Sequence, residues 1–432
     1  HSFIMGWAKY ARRKLSLPVI TGIFCALTFT VLLYTERITT SSSGFHFGIK
    51  TCPRRNAAKL KKHHTGVREL KSSPLDNPTD DRFVFDAEEC SLNNGKWVFN
   101  TSIKPLYTDR TCPYIDRQYS CTKNGRDDSD YLHWEWRPDD CILPRFDPKI
   151  ALRKLQGKRI MFVGDSIQRN MWESFVCLVQ SVIPEGEKSM KLGRVYSVFK
   201  AKEYNASIEF YWAPFLVESN TDIHIIADSK QRIIKVDSIA ERAKQWLGVD
   251  ILVFNTYVWW MSGVKAKALW GEFANGEEGY EEFDTPIPYK LALRTWANWI
   301  DSTIDTNKTK VFFTTMSPTH QRNEDWGNMN GTRCFNETRP VMKKGHWGVG
   351  SNKDLMKAVV DVIGRMKVPV TVLNITQLSE YRIDGHASVY GELGGKLLTD
   401  KQKADPSNFA DCIHWCLPGV PDTWNRMLYA YL

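Results

Sequence analysis

The fold is decided by one stretch, Lys158-Arg159-Ile160-Met161-Phe162-Val163-Gly164-Asp165-Ser166-Ile167-Gln168-Arg169-Asn170. The apolar run at residues 160–163 has the length and bulk of a buried parallel strand. The apolar residues from Met171 onward predict a helix, so Ser166 falls at a strand-to-helix turn. A serine at such a turn is exposed at the carboxyl edge of a sheet, beside the first N–H groups of the helix. Ser166 is therefore a candidate nucleophile, and capping of the helix is its alternative role.

A second motif, near the C-terminus, supplies the partners that a serine nucleophile needs. In the stretch Ala410-Asp411-Cys412-Ile413-His414-Trp415-Cys416, an Asp stands three residues before a His. Asp411 can accept a hydrogen bond from one ring nitrogen of His414, and the other nitrogen can then take a proton from a serine. A serine hydroxyl needs this help because it is a weak nucleophile at neutral pH. Ser166, His414 and Asp411 are therefore predicted to form a catalytic triad.

These motifs together resemble the SGNH (GDSL-type) hydrolase superfamily, in which the Ser comes early and the Asp-x-x-His comes last. The resemblance narrows to the plant trichome-birefringence-like family, whose members are Golgi polysaccharide O-acetyltransferases. It covers residues 87–432 and is carried by four blocks: residues 164–170, Ser317-Pro318-Thr319-His320 with Asp325-Trp326, residues 384–390 and residues 411–424. It implies an α/β fold of the SGNH/GDSL type, a doubly wound parallel sheet with helices on both faces. A small disulfide-rich N-terminal module would pack on that sheet.

The N-terminal part of the chain predicts a membrane anchor. A cluster of four basic residues precedes an uncharged apolar segment at residues 15–35, about the ~20 residues needed to span a bilayer. A signal peptide is the alternative, but no small-x-small cleavage site is clear. Since a basic flank stays on the cytosolic side, we expect a cytosolic tail at 1–14, a type II transmembrane signal anchor at 15–35 and a flexible stem at 36–86. The Cys-rich N-terminal module would follow at 87–146, and the catalytic domain at 147–432.

The basic charge of the chain is confined to this tail and stem. The formal net charge is +9 over 432 residues, whereas residues 1–75 alone carry 13 Lys and Arg against 2 Asp and Glu. The remainder of the chain therefore has a small negative net charge. A nucleic-acid-binding protein needs a basic stripe on its folded domain, so nucleic acid is excluded as an expected partner.

The cysteines and the glycosylation sequons both indicate a lumenal compartment. An even number of cysteines follows the stem and suggests disulfides. Neither a Cys-x-x-Cys pair nor the His spacing indicates zinc, so no metal is expected. About 105 pairings are open to eight cysteines; our hypothesis is Cys90–Cys141, Cys112–Cys177, Cys121–Cys416 and Cys334–Cys412. Sequons stand at Asn100, Asn205, Asn307, Asn330, Asn336 and Asn374.

Two of these hypothetical bridges would hold the segment that carries Asp411 and His414. We expect this segment to be a loop bounded by Pro and Gly, which by itself would position an imidazole loosely. Misplacement of a catalytic group by about 1 Å lowers a reaction rate strongly. Bridges from Cys412 and Cys416 to separate parts of the fold would prevent it.

Strands and helices alternate from residue 147 onward, as a parallel sheet with helices on both faces requires. We predict strands at 160–163, 251–254, 311–315 and 371–374, and helices at 171–182, 238–246, 289–305 and 353–365. Three alternating stretches, at 195–200, 207–212 and 223–226, are predicted as additional edge or antiparallel strands.

The groups that support the triad are less sharply defined. The resemblance implies an oxyanion hole made from the N–H of the nucleophile, a Gly N–H and an Asn side chain. Asn255 fits the Asn because it follows a predicted strand, but Tyr257 and Val258 replace the Gly-His of the family pattern, and the Gly is not identifiable. Arg169 and Asn170 lie one helical turn past Ser166 and are candidates for charge or polar support.

Three tryptophans, Trp259, Trp260 and Trp326, are candidates for substrate binding because indole rings stack on sugar faces. Ordinary core packing is the alternative for each of them. Trp259 and Trp260 would face opposite ways on an extended segment, so at least one of the two is expected to reach the cleft.

The resemblance implies transfer of an acetyl group through an acetyl-serine onto hydroxyls of a plant cell-wall polysaccharide. Residues 255–263 are similar to the xylan-acetylating branch, so xylan is the expected acceptor. The alternatives are a carbohydrate acetylesterase with the same triad, and a glycan-binding module with a dead site. No tightly bound cofactor is expected; acetyl-CoA or another acetyl carrier would be a co-substrate. Expected partners are the polysaccharide and the Golgi membrane, with an acetyl-donor transporter or glycosyltransferases as further candidates.

Overall fold

The computed structural model describes residues 90–220, 222, 232–263, 265–269 and 280–432. The predicted tail, transmembrane anchor and stem at 1–86 lie outside these residues, and so does the predicted strand at 223–226. Among the helices that are described, none is long and apolar enough to cross a membrane. All described residues belong to one compact unit, Thr79–Leu432.

A seven-stranded mixed sheet forms the centre of this unit. Its strands, in chain order, are β3 (Arg159–Gly164), β4 (Lys188–Lys191), β5 (Tyr196–Ala201), β6 (Ala206–Trp212), β9 (Ile251–Phe254), β12 (Lys310–Thr314) and β13 (Val370–Leu373); two N-terminal strands, β1 (Gly95–Phe99) and β2 (Trp134–Pro138), form a separate pair. The spatial order is β13-β12-β9-β3-β6-β5-β4. The first five strands run parallel, and β5 and β4 add an antiparallel edge.

Smaller sheets surround the central one. A four-stranded sheet in the order β11-β10-β8-β7 consists of β7 (Glu218–Ser219), β8 (Ile233–Lys235), β10 (Lys265–Leu269) and β11 (Tyr280–Asp284). Two further pairs join β14 (His386–Ser388) with β17 (Asp411–Trp415), and β15 (Glu392–Leu393) with β16 (Lys396–Leu397).

Helices pack on both faces of the central sheet. These are α2 (Ser166–Gln180) and α9 (Val420–Tyr431) on one face and α4 (Pro286–Thr303) and α5 (Lys353–Ile363) on the other. The remaining helices are α1 (Pro148–Lys154), α3 (Ala240–Ala243), α6 (Thr376–Glu380), α7 (Asp400–Lys403) and α8 (Pro406–Phe409). Alternate side chains of β3 point to opposite faces. Ile160 and Phe162 join the apolar cluster of α2 and α9, whereas Met161 and Val163 join that of α4 and α5. The expected sheet with helices on both faces is therefore confirmed.

The predicted elements occur in the structure with shifted ends. The first predicted helix begins at Ser166 rather than at residue 171, because the Asp165 carboxylate accepts from the Ile167 N–H and caps it. The helix predicted at 238–246 is shorter, consisting of α3 and a 3₁₀ turn at Lys244–Trp246. The stretches predicted at 195–200 and 207–212 as edge or antiparallel strands are β5 and β6, which pair antiparallel with each other. Strand β6 is not at an edge, because its other neighbour is β3, to which it is parallel.

The N-terminal module packs directly on the sheet domain. Trp97 of β1 donates from Nε1 to the Leu378 carbonyl at 2.8 Å. Arg126 donates to the backbone carbonyls of Asp384 and His386 at 2.7 and 3.2 Å. The structure contains four disulfides, the pairs of the sequence hypothesis: Cys90–Cys141, Cys112–Cys177, Cys121–Cys416 and Cys334–Cys412. Three of the four connect the module or a distant loop to α2 or to the ends of β17.

Candidate active site

The turn after β3 is shaped by the residue before the candidate nucleophile. A Cβ on Gly164 would lie 2.5 Å from the Asn255 carbonyl oxygen and 2.9 Å from Cβ of Gln168, so only glycine fits there. Asp165 is fully buried, and burial raises the pKa of its carboxyl to about 6. Because Asp165 caps α2, the Ser166 hydroxyl is not needed as the cap. Ser166 stays half-buried at the carboxyl edge of the sheet.

The structure brings Ser166, His414 and Asp411 together in one hydrogen-bonded line. Nε2 of His414 lies 2.7 Å from Oγ of Ser166, and Nδ1 of His414 lies 2.7 Å from Oδ2 of Asp411. The other carboxylate oxygen of Asp411 accepts from the backbone N–H groups of Ile413 and His414, each at 3.0 Å. An ionised carboxylate only accepts, so Nδ1 of His414 carries the ring proton. Nε2 is then free to accept the proton of the Ser166 hydroxyl.

The electrostatics of this line favour a charged imidazole during reaction. Burial alone would lower the pKa of His414, but the adjacent Asp411 carboxylate outweighs it and the net pKa is raised. Burial would raise the pKa of Asp411, yet attraction to His414 lowers it below its ordinary value. Asp411 therefore stays ionised and stabilises the imidazolium that forms when His414 takes a proton.

The prediction of a loop around Asp411 and His414 is wrong, because both residues lie on strand β17. This strand pairs antiparallel with β14, in the register His386 with Trp415 and Ser388 with Asp411. Disulfides at Cys412 and Cys416 hold its two ends. The strand and the two bridges together supply the rigidity that a catalytic histidine requires.

Asn170 supports the triad through the backbone of β17. Its side chain is buried; Oδ1 accepts from the Trp415 N–H at 2.9 Å, and Nδ2 donates to the Trp415 carbonyl at 3.2 Å. Helix α2 of the nucleophile and the strand of the base are thus joined one residue from His414. Arg169 is half-buried, and its guanidinium lies 5.0 Å from the ring centroid of Phe210.

Asn255 is not placed to act in an oxyanion hole. Its side chain is 1% exposed, and Nδ2 donates to the carbonyls of Thr314 and Thr315 at 3.0 and 3.1 Å. Both amide hydrogens are therefore engaged in joining the ends of β9 and β12. The expectation for Asn255 is wrong in this conformation, because position after a strand does not reveal what the amide donates to.

The candidate tryptophans divide into core and surface. Trp260 is 3% exposed, donates from Nε1 to Oγ1 of Thr256 at 2.8 Å and packs in the core, so it does not reach the cleft. Trp259 is half-buried on the 3₁₀ turn Val258–Ser262, with its ring 5.6 Å from that of Trp212. Trp326 is half-buried and donates to Glu337 at 2.7 Å. Trp259 and Trp326 remain candidates for sugar contact.

Two groups beside the triad escaped prediction from the sequence. Tyr119, from the N-terminal module, is fully buried; its hydroxyl donates to the Ser166 carbonyl at 3.1 Å and its ring centroid lies 5.7 Å from that of His414. Behind β17, the buried histidines His320 and His386 contact each other. Both histidines lie in motifs of the family resemblance, and this was the one feature of the sequence that could have indicated them. No motif of the resemblance includes Tyr119.

The asparagines of all six predicted glycosylation sequons lie among the described residues. Asn205, Asn307, Asn330 and Asn336 are exposed, and Asn100 and Asn374 are half-buried. Within the ranges that the structure describes, no group of three or more His, Cys, Asp or Glu side chains is arranged to hold a metal ion.

Comparison with known proteins places this geometry in a family. Residues 143–431 match PC-Esterase, described as the GDSL/SGNH-like acyl-esterase family found in Pmr5 and Cas1p, and residues 88–142 match the PMR5 N-terminal domain. Protein trichome birefringence-like 3 of Arabidopsis thaliana is 63% identical over 436 residues, 100% of both chains. Probable xylan O-acetyltransferase 8 of Oryza sativa subsp. japonica is 49% identical over 437 residues, 98% of both chains. Xylan O-acetyltransferase 6 of the same rice is 49% identical over 348 residues, 79% of this chain and 62% of its own. With its triad at the carboxyl edge of an SGNH-like sheet, the chain belongs to the PC-Esterase family and, within it, to the trichome-birefringence-like proteins.

Proposed function

We propose that this protein is a polysaccharide O-acetyltransferase that transfers an acetyl group, through an acetyl-serine intermediate, onto hydroxyls of xylosyl residues in xylan. The observation that carries the proposal is the line from Ser166 through His414 to Asp411, with 2.7 Å at both contacts. The names of rice relatives at 49% identity, xylan O-acetyltransferases, support the choice of reaction and acceptor.

The first half-reaction would load the serine. Oγ of Ser166 attacks the carbonyl carbon of the acetyl donor while Nε2 of His414 takes the hydroxyl proton. The bond between the acetyl carbon and the donor then breaks, and the departing donor group receives the proton from His414. The product is an acetyl ester on Ser166 with His414 neutral again.

The second half-reaction would transfer the acetyl group. A sugar hydroxyl gives its proton to Nε2 of His414 and its oxygen attacks the acetyl carbon. The ester bond to Ser166 breaks, and Oγ of Ser166 recovers the proton from His414. The half-buried indole of Trp259 follows the end of β9 and is a candidate for contact with the sugar, although the guanidinium of Arg232 lies 4.7 Å from its ring centroid.

The oxygen that bears negative charge in both half-reactions needs N–H donors. Since both amide hydrogens of Asn255 are engaged, we assign the stabilisation of this negatively charged oxygen to backbone N–H groups. The N–H of Ser166 is at the start of α2, where the first N–H groups have no partner within the helix. The helix dipole also favours negative charge at this end.

The acetyl donor, membrane placement and glycosylation belong to the same proposal. Acetyl-CoA or another acetyl carrier would deliver the acetyl group. An anchor at residues 15–35 would hold the catalytic domain in the Golgi lumen, close to a donor transporter or glycosyltransferases. Four disulfides and exposed sequons such as Asn205 and Asn307 are typical of such an oxidising, glycosylating compartment.

Hydrolysis of acetyl-xylan is the competing function, because water could replace the sugar hydroxyl without any change in the triad. The test measures both rates on one preparation of the full chain, with xylo-oligosaccharides as acceptor and acetyl-CoA or an activated aryl acetate as donor. We expect new sugar esters to form faster than free acetate is released from acetylated xylo-oligosaccharides. The opposite balance would establish an esterase, and the absence of both products would indicate a glycan-binding module.

A further inference from the structure

Two histidines lie end to end beneath the strand of His414. Nδ1 of His320 lies 2.6 Å from Nε2 of His386, and both side chains are buried. At one end of the pair, Nδ1 of His386 lies 3.1 Å from the His414 carbonyl oxygen. At the other end, Nε2 of His320 lies 3.2 Å from the Glu380 carbonyl oxygen. The pair therefore spans from the backbone of the catalytic base to the end of α6.

The two rings make three contacts that each require a hydrogen. Both outer contacts end on carbonyl oxygens, which only accept, so each needs an N–H from its ring. The central contact between the rings also needs one hydrogen. Two neutral imidazoles carry one N–H each, which leaves one of the three contacts without a hydrogen. Two lone pairs would then face each other, across 2.6 Å in the centre, across 3.2 Å at Glu380 or across 3.1 Å at the His414 carbonyl.

The carboxyl of Glu380 is the neighbour whose negative charge can compensate one additional proton in this buried group. Its Oε2 lies 3.9 Å from Nε2 of His320, and its side chain is 1% exposed. Burial raises the pKa of Glu380 to about 7 and lowers the pKa of His386 to about 4. Burial thus opposes a lone negative charge on Glu380 and a lone positive charge on the rings alike. With the third proton on the two rings and Glu380 ionised, all three ring contacts have a hydrogen and the three groups carry no net charge, so neither buried charge is unpaired.

The contact between the rings agrees with this count. Hydrogen bonds in which one partner is charged are shorter than neutral ones, and 2.6 Å is at the short end for two ring nitrogens. Within the described residues, the pair is not part of any group of three or more His, Cys, Asp or Glu side chains that is arranged to hold a metal ion.

The trio is also well coupled to the catalytic strand. The backbone N–H of His320 donates to the Cys412 carbonyl of β17 at 3.0 Å. The ring of His386 stacks on that of Trp415, with 4.0 Å between centroids. With the bond from His386 to the His414 carbonyl, the trio contacts the strand on both sides of the catalytic base.

We propose that His320, His386 and Glu380 form a buried positioning group that retains one shared proton, and that this proton holds the strand of His414 in place for catalysis. Loss of the proton at alkaline pH breaks one of the three contacts and loosens the strand. None of the three residues touches the reacting atoms, so they are positioning residues. The inference about catalysis rests on the proposed function, whereas the shared proton itself does not.

Several other charged groups face the trio and enter its titration. His386 faces Asp411, His414 and Arg126; His320 faces His346; and Glu380 faces Asp325 and Lys353. Burial lowers the pKa of His346, which therefore remains neutral at neutral pH. The positive charge of Arg126 is balanced by Asp128, to which it is joined at 2.9 Å, and the negative charge of Asp411 opposes it at His386.

A direct test needs no enzymatic activity. The full chain is labelled with ¹⁵N in histidine and ¹³C in the glutamate carboxyl, and the signals of the three groups are followed across neutral pH. We expect the rings and the carboxyl together to hold three protons at neutral pH and to release one in a single step at alkaline pH. Two neutral rings at neutral pH, beside either an ionised or a protonated Glu380, would overturn the proposal, whether or not the protein transfers acetyl groups.

A kinetic test separates positioning from a merely structural role. The plot of kcat/KM against pH for the wild type should fall at alkaline pH as the trio loses its proton. Glu380→Gln removes the negative charge that lets the rings keep the third proton, so its rate should already be lowered at neutral pH and this alkaline fall should be absent, while KM stays within about twofold. Glu209→Gln is the matched control, because it removes a buried carboxylate that pairs with Arg159 instead; its alkaline fall should remain. A lower kcat at every pH with the alkaline fall intact in Glu380→Gln would contradict the proposal.

Two substitutions of His386 provide an independent check. His386→Asn keeps an amide donor near the position of Nδ1, toward the His414 carbonyl, but does not reach His320. His386→Gln lacks a donor at that position. We expect kcat to fall about tenfold in His386→Asn and further in His386→Gln, with KM unchanged in both. Equal losses in the two variants would show that the bond to the His414 strand is not what matters.

Discussion

Strand β17 and the segment after β9 both reach the carboxyl edge of the central sheet, yet only one presents chemistry there. On β17, the side chain of His414 contacts Ser166 through Nε2 and Asp411 through Nδ1, each at 2.7 Å. After β9, Asn255 and Trp260 direct their polar groups inward, to backbone carbonyls and to Thr256. A motif predicts function well when the residue types require each other chemically, and poorly when position alone suggests a role.

The largest expected effect concerns the residue that orients the base. Asp411→Asn should lower kcat on the order of 10⁴-fold, because an amide can hold His414 in the wrong tautomer. The raised pKa of His414 depends on Asp411, and only the neutral ring can take a proton. The acidic fall of the wild-type rate should therefore lie above the ordinary pKa of histidine and move to lower pH in the variant. Steady-state rates across pH measure both effects, and near-wild-type turnover would exclude the triad.

Substitution of Asn170 should lower kcat by a smaller factor than Asp411→Asn does. Asn170→Ala removes both hydrogen bonds to the Trp415 backbone, one residue from His414. A shift of about 1 Å in a catalytic group lowers a rate about 10²-fold, so we expect a fall in kcat of that order. Asn170→Asp, which keeps the acceptor for the Trp415 N–H, is the matched variant and should retain more activity. Unchanged kcat in Asn170→Ala would mean that the disulfides alone position β17.

The disulfide from the N-terminal module should have a moderate effect. Cys121→Ser frees the end of β17 at Cys416, and loss of a native disulfide typically costs about 2–5 kcal/mol of unfolding free energy. We expect activity to decline at denaturant concentrations where the fold is still intact. Cys90→Ser is the control, since its bridge to Cys141 lies within the module. Parallel loss of activity and of folded protein in both variants would contradict a special role for the bridge at Cys416.

Asn255 should show the smallest effect on catalysis. Asn255→Ala leaves the buried carbonyls of Thr314 and Thr315 without their donor, which costs about 1–3 kcal/mol of unfolding free energy. We expect kcat to change by no more than a few-fold. Loss of an oxyanion donor would instead lower kcat about 10²–10³-fold. Unfolding curves and turnover measured on the same variant decide which description of Asn255 is right.

Much of the fold was predictable because its signals are local. The apolar run before Gly164 and the apolar periodicity at 353–365 identify a buried strand and a helix without reference to other residues. Strand β17 was not predictable, since its partner β14 lies more than twenty residues earlier and the Pro and Gly nearby suggest a loop. A long-range hydrogen bond decides that case.

The same distinction applies to the site. The triad was predictable because a serine nucleophile requires a base and the base requires a carboxylate. The hydroxyl of Tyr119 on the Ser166 carbonyl was not, because a buried tyrosine in a Cys-rich module has no sequence pattern of its own. Nor could the sequence show that His320 and His386 meet, although both stand in motifs that the resemblance singled out.

The central claim is that Ser166 carries the acetyl group between donor and sugar. The most direct measurement incubates the full chain with an acetyl donor in the absence of acceptor, quenches it in acid and maps its peptides by mass spectrometry. We predict a mass gain of one acetyl group on the peptide that contains Ser166, lost when xylo-oligosaccharides are added before quenching and absent in Ser166→Ala. The central claim would be contradicted if Ser166→Ala formed sugar esters at the wild-type rate. It would also be contradicted if another residue carried an acetyl group that turned over at the rate of transfer.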